Sequence, residues 1–289
     1  MLLKDMTTDL AIKDVAERTG IAPGTIRMWE QRYGFPAPAR TPSGYRRYSE
    51  DDVDALRKVV ALRQRGLSVS AAIERAQDGA GGPSDHPSIY AAVAATDVGA
   101  RPHLLRKSTL IALSKAIEHE ALALAAAPIV FAAFQQERFY RHVEPRYRRL
   151  ALHADAAAVF ADFPAGVRHP AGAPSEIPIG SDDALGNEWA VIVDAPGYAA
   201  CLLAWEQPGV TEPGGPDDRD RRFEAIWTID PQATRRAAQV AARLAGRADP
   251  AYGKRLQELL DERPLALETP APALTALTTR MVAYLEAAG

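Results

Sequence analysis

Glycine and proline break the helical apolar spacing of residues 10–35 twice in quick succession, and that punctuation leaves few folds open. Ile12, Val15 and Ala16 fall at i, i+3, i+4 and line one helix face. Thr19-Gly20 stops this helix where glycine can take the left-handed conformation. Ala22-Pro23-Gly24-Thr25 opens the next helix almost at once, and Ile26, Trp29 and Glu30 carry it towards Tyr33-Gly34. Two helices this short, joined by a glycine-containing turn of three or four residues, have the form of a helix-turn-helix.

The stretch Phe35 to Gly44 holds too much proline for a helix, and Tyr45-Arg46-Arg47-Tyr48 after its Ser-Gly turn predicts a small β-hairpin. Ser49 then caps a third helix, with Asp52 as an acidic capping-box partner and Glu50 to Asp54 filling the first turn. Val53, Leu56, Val59 and Val60 give it a buried stripe, and Gly66 ends it. A short helix from Val69 to Gln77 follows, capped by Ser68.

Gly79 to Ser88 reads as linker by composition, and we place the linker at residues 79–102 between domains at 10–78 and 103–289. Beyond it helix and strand alternate. Helices are expected at Leu104 to Ala126 and Glu137 to His153, with strand-length apolar runs at Pro128 to Phe134 and Ala156 to Phe163. Further strands are expected at Glu188 to Asp194, Ala199 to Glu206 and Arg222 to Ile229. Helices at Pro231 to Ala245, Ala251 to Glu262 and Pro272 to Ala287 close the chain, and Pro164 to Leu185 and Pro208 to Asp218 read as long loops. The fold class is therefore α + α/β: a winged helix-turn-helix domain joined by a Gly/Pro linker to a mixed α/β domain.

The whole-chain charge of −3 argues on its face against nucleic acid, but it hides a segregation. Residues 10–80 carry +3 and residues 81–289 carry −5. Gly24 to Tyr48 alone sets Arg27, Arg32, Arg40, Arg46 and Arg47 against Glu30, a local +4. No stretch approaches the ~18 apolar residues of a membrane span. Met1 to Leu10 carries Lys4, Asp5 and Asp9 where a secretory signal would be apolar, so a cytoplasmic protein without membrane contact is expected. Cys201, the single cysteine, lies in an apolar run and reads as a core residue.

Thr25-Ile26-Arg27-Met28-Trp29-Glu30, Arg32-Tyr33-Gly34-Phe35-Pro36, Pro38-x-Arg40-Thr41 and Gly44-Tyr45-Arg46-Arg47-Tyr48 together resemble the winged-helix DNA-binding domain of the MerR family of transcription regulators. The resemblance implies a recognition helix in the major groove and a wing on the neighbouring backbone or minor groove. It also implies double-stranded promoter DNA, RNA polymerase at the promoter and a second copy of the chain as partners. Thr25 and Arg27 would then reach base edges or phosphates from the second helix. Arg40, Tyr45, Arg46, Arg47 and Tyr48 would contact DNA from the wing, while Ile26 and Trp29 belong to the core.

The Trp-Glu and Arg-Tyr-Gly-Phe-Pro wording is similar to the light-responsive, cobalamin-binding branch of that family, whose cofactor domains present Asp-x-His-x-x-Gly. None of the six histidines here lies in that pattern, and no metal-binding cysteine set is present. No cofactor or metal is assigned.

The second half resembles the DICT sensory domain through Leu113-Ser114-Lys115-Ala116-Ile117-Glu118, Val130 to Gln135, Arg138-Phe139-Tyr140, Tyr147-x-x-Leu150 and Val159-Phe160-Ala161. That implies reception of a small-molecule or protein signal. Gln135, Arg138 and Tyr140 follow a strand, where α/β folds place ligand crevices, and are the candidate ligand contacts. The competing reading packs Phe134 and Phe139 in the core and uses Gln135 as a helix cap. Ser114 and Glu118 could support the pocket or form a plain surface pair. His119 and His142 sit in no catalytic motif, and phosphate-loop and Gly-x-Ser-x-Gly patterns are absent, so no enzyme is expected. Two alternatives stay open: a helix-turn-helix that binds a protein instead of DNA, and a DNA-binding protein with an enzymatic second domain.

Overall fold

The computed structural model describes residues 10–64, 69, 72, 73, 76, 88–94, 102–180, 183–207, 215, 218–266, 282 and 286. They form two units that divide between Ala91 and Ala92.

In the first unit, α1 (Ile12–Thr19) and α2 (Pro23–Tyr33) precede a two-stranded ribbon of β1 (Ala39–Arg40) and β2 (Arg46–Arg47), followed by α3 (Glu50–Gln64). Both expected glycine stops are realised: Gly20 and Gly34 have φ of 72° and 64° and close α1 and α2. At the start of α3 the Ser49 N–H donates to Asp52 Oδ2 at 2.8 Å and the Asp52 N–H donates to Ser49 Oγ at 3.1 Å, a reciprocal capping box. Val15, Ile26, Trp29, Tyr33, Val53, Leu56 and Val59 converge in one core, together with Ala72, Ile73 and Ala76. Ile26 and Trp29 are thus buried, as their spacing predicts. The ribbon pairs Ala39 with Arg47 and Arg40 with Arg46, and a bridge of two 3.0 Å hydrogen bonds between Leu10 and Tyr48 adds a further rung.

Part of the expected linker is helical: α4 (Ile89–Ala94) has a continuous apolar sequence, and its residues 89–93 are buried. Ser88 Oγ caps it by accepting the Ala91 N–H at 2.9 Å. The linker composition of residues 79–88 therefore does not extend through this run. Residues 79–87 and 95–101 lie outside the described residues.

The second unit is built on a seven-stranded sheet in the order β3-β9-β8-β7-β4-β5-β6. Its strands are β3 (His103–Arg106), β4 (Ile129–Ala133), β5 (Ala156–Ala161), β6 (Ser175–Pro178), β7 (Glu188–Ala195), β8 (Tyr198–Glu206) and β9 (Arg222–Thr228). Helices α5 (Lys107–Leu124) and α6 (Glu137–His153) connect β3 to β4 and β4 to β5, while α7 (Pro231–Ala248) and α8 (Pro250–Glu262) follow β9. β4, β5 and β6 are parallel, and the remaining pairs are antiparallel.

Alternation divides the sheet between two faces. Leu202, Ala204, Phe223 and Ala225 pack with Leu110, Leu113 and Ile117 of α5, while Val130, Val159 and Ala161 pack with Tyr140, Tyr147 and Leu150 of α6. Phe131, Ile192, Cys201 and Leu203 are offset by one residue and occupy the opposite face, where α7 lies against β4, β7 and β8. Cys201 is buried there as expected, and burial pushes its thiol up to about 12.

Three expectations in this unit change. The helix expected from Leu104 begins only at Lys107, because His103 to Arg106 is an edge strand paired with β9. Ser175 to Pro178, expected as loop, is the other edge strand, where proline can be tolerated. Ser114 and Glu118 are no surface pair. Ser114 Oγ accepts Nε1–H of Trp189 on β7 at 2.9 Å, and Glu118 accepts the Tyr147 hydroxyl of α6 at 2.6 Å and pairs with Arg146. The expected helix Pro272 to Ala287 lies outside the described residues apart from Val282 and Glu286.

Candidate nucleic-acid interface

Arg27 stands exposed on α2, one residue beyond buried Ile26. The ribbon brings Gly44, Tyr45, Arg46 and Arg47 beside it, and the start of α1 supplies Ala11 and Ile12. Together these residues line a concavity of about 260 Å³. Three arginines line this open hollow, Arg27 exposed and Arg46 and Arg47 half-buried, and guanidinium forks suit phosphate oxygens. Tyr45 is 70% exposed at the tip of the ribbon, where its ring can lie against a sugar or base edge. Thr25 is half-buried in the first turn of α2, and Arg40 is exposed on β1.

One expected member of this face, Tyr48, does other work. Tyr48 is 1% exposed inside the first core, and burial together with the neighbouring Glu30 charge pushes its phenol up to about 12. It holds the ribbon to residue 10 through its backbone and does not face solvent, because the last residue of the hairpin alternates inward. Its hydroxyl has no hydrogen-bond partner among the described residues. Tyr48→Phe is accordingly expected to leave DNA affinity unchanged and raise stability by up to about 1 kcal/mol, measured by duplex titration and urea unfolding; a tenfold loss of affinity would return Tyr48 to the interface. Arg32, counted in the local charge, is also buried, stacked 4.2 Å from the ring centroid of Tyr90.

Glu30 on α2 has a role that its place in the helix and in the local charge does not reveal. Its Oε2 accepts Arg46 Nε–H at 2.6 Å and its Oε1 accepts Arg40 Nη2–H at 3.4 Å. The signal available is its isolation as the one acid among the five arginines between Gly24 and Tyr48.

In the second unit, the pairing directions put the carboxyl ends of β3, β8, β4, β5 and β6 on one edge of the sheet. Gln135 lies there, but its amide is committed: Nε2 donates to Glu206 and Oε1 accepts from Arg221. Arg221, with a side chain only 1% exposed, also pairs with Asp218, which in turn pairs with Lys107. Lys107 Nζ sits 4.3 Å from the Phe139 ring centroid. Arg138 is exposed and lies over Phe139 at 5.1 Å. Tyr140, expected as a ligand contact, turns into the core instead. It is fully buried among Phe134, Tyr147 and Phe163, and burial pushes its phenol up to about 12. Nor does Gln135 cap α6, since the Glu137 N–H is taken by the Asp162 carboxylate. Among the described residues no group of three or more His, Cys, Asp or Glu could hold a metal ion, and no helix is long and apolar enough to cross a membrane.

Comparison with known proteins places these geometries. The family described as MerR HTH family regulatory protein matches residues 10–78, which span α1 to α3 and the ribbon. The amino-terminal unit is a MerR-type helix-turn-helix. The family described as a sensory domain in diguanylate cyclases and two-component systems, DICT, matches residues 86–207, from α4 through β8. Over 66 residues the chain is 50% identical to the HTH-type transcriptional repressor CarA of Myxococcus xanthus, covering 22% of this chain and 23% of that protein. It is 43% identical over 61 residues to CarH of the same organism, a second HTH-type transcriptional repressor, covering 21% and 20% respectively. It is 37% identical over 59 residues to the HTH-type transcriptional regulator MlrA of Escherichia coli, covering 20% and 24%. The chain thus spans under a quarter of the length of these curated relatives. The MerR-type unit keeps its basic hollow and the DICT domain keeps its buried polar edge on separate units of one chain.

Proposed function

We propose that the chain is a transcription regulator that binds double-stranded promoter DNA through its MerR-type unit and receives a signal through its DICT domain. The observation that carries this reading is the hollow lined by Arg27, Arg46 and Arg47, beside an exposed tyrosine and at the side of a helix presented for a major groove. Thr25 and Arg27 reach base edges or phosphates from α2, while Arg40, Tyr45, Arg46 and Arg47 serve the neighbouring backbone or minor groove.

Under this reading a second copy of the chain binds the other half-site, and RNA polymerase is the partner at the promoter. The signal, a small molecule or a protein, acts by binding two states of the regulator unequally. Arg138 over the Phe139 face is the accessible contact for it. The chain performs no catalysis, consistent with relatives named as transcriptional regulators or repressors.

Duplex DNA from the promoter region, titrated with the full chain across a salt series, tests the assignment. Replacing Arg27 and Arg47 together by alanine should weaken binding about tenfold or more and flatten the slope of log K against log salt by about 2. Unchanged affinity and slope would favour the reading in which the helix-turn-helix binds a protein.

A further inference from the structure

We propose that Glu30 is a positioning residue of the DNA face: it clamps the wing arginines Arg40 and Arg46 to α2 and restrains sequence-independent binding to phosphate backbones. The inference rests on the DNA-binding reading above and adds a role for the acidic side chain that, among the described residues, pairs with the wing arginines.

Three observations converge. Both carboxylate oxygens are occupied, Oε2 by Arg46 at 2.6 Å and Oε1 by Arg40 at 3.4 Å. The Glu30 side chain is only 14% exposed, so the carboxylate does not project to accept a cytosine amine as an exposed glutamate on a recognition helix could. The ribbon carrying the arginines has two residue pairs between its strands and one backbone bridge to residue 10, so side-chain anchors add materially to its hold on α2.

The charge consequence follows directly. Non-specific affinity for duplex DNA grows with the number of phosphates that cationic groups neutralise, because each contact releases counterions. A carboxylate shared by two guanidinium groups cancels one charge of the face and costs energy to displace before those groups can turn fully to phosphate. Only a duplex whose shape accepts the wing in its clamped orientation avoids that cost.

The test uses the full chain and a random-sequence 40-base-pair duplex, titrated from low to moderate salt. Glu30→Gln keeps the side-chain volume and removes the charge. It should bind the random duplex about tenfold tighter at low salt, with a salt slope steeper by about 1 as the charge that Glu30 had cancelled meets phosphates. Glu30→Ala, checked by circular dichroism for helix content, should steepen it equally, and Glu30→Asp should keep the wild-type slope. In an Arg40→Ala/Arg46→Ala background, Glu30→Gln should leave the slope unchanged. A role confined to folding would instead weaken binding without steepening the slope, and that result overturns the proposal, as does steepening that persists without the two arginines. Absence of any salt-dependent duplex binding by the wild-type chain would instead sink the DNA reading itself.

Discussion

Gly253→Ala should lower the melting temperature of the second unit by about 6–12 °C, corresponding to a loss of about 3 kcal/mol. A Cβ at Gly253 would lie 2.2 Å from the Gly246 Cα, 2.7 Å from its nitrogen and 3.2 Å from the Ala242 carbonyl oxygen. All three are backbone atoms of α7, so no side-chain rotation can relieve the contact. The two helices would have to separate, withdrawing buried Leu256 and Leu260 of α8 from the core. The control is the partner glycine. A Cβ on Gly246 meets only the Gly253 Cα, at 3.4 Å, so Gly246→Ala should change the melting temperature far less, aided by alanine's better helix propensity. Differential scanning calorimetry of both variants reads the asymmetry, and equal effects would refute it.

The second large effect concerns Arg235. Its guanidinium grips Asp194 with two bonds of 2.8 and 3.0 Å and donates to the carbonyl oxygens of Leu260, Arg263 and Pro264. It thereby ties the end of β7 to the segment that leaves α8. Asp194 is almost wholly buried, with 4% of its side chain exposed. Arg235→Ala would strand that carboxylate and three carbonyls, and should cost about 3–5 kcal/mol in chemical unfolding. Arg235→Lys keeps the charge but cannot reproduce the planar fork, so it should recover only part of the loss. A full recovery by lysine would mean that charge alone, without the bidentate geometry, holds the junction.

Much of the first unit was legible because its signals are local. Glycine stops at Gly20 and Gly34, proline at the start of α2 and the Ser49/Asp52 box each act within four residues. Tyr48 was misplaced because alternation in a two-rung ribbon is too brief to say which way its last side chain points. The role of Glu30 was hidden because its partners come from a different element. In the second unit, β4, β5, β7 and β8 announced themselves as apolar runs long enough to be strands. The four-residue edges β3 and β6 carried no periodic signal and exist through pairing with strands elsewhere. The network of Lys107, Gln135, Glu206, Asp218 and Arg221 draws on four separated stretches of the chain and leaves no sequence pattern that joins them. Arg138 is exposed on α6, while Tyr140, two residues on, turns inward with the helical period.

The strand order also fixes a timetable. β3 emerges early in the second unit, yet among the described residues its one neighbour in the sheet is β9, which begins at Arg222. A chain growing from the ribosome can close the β4–α6–β5 crossover from adjacent sequence, and it can complete the short-range contacts of the first unit earlier still. β3 must wait, its edge unpaired, until more than a hundred further residues have been made. The MerR-type unit can therefore be folded well before the sheet of the second unit is complete.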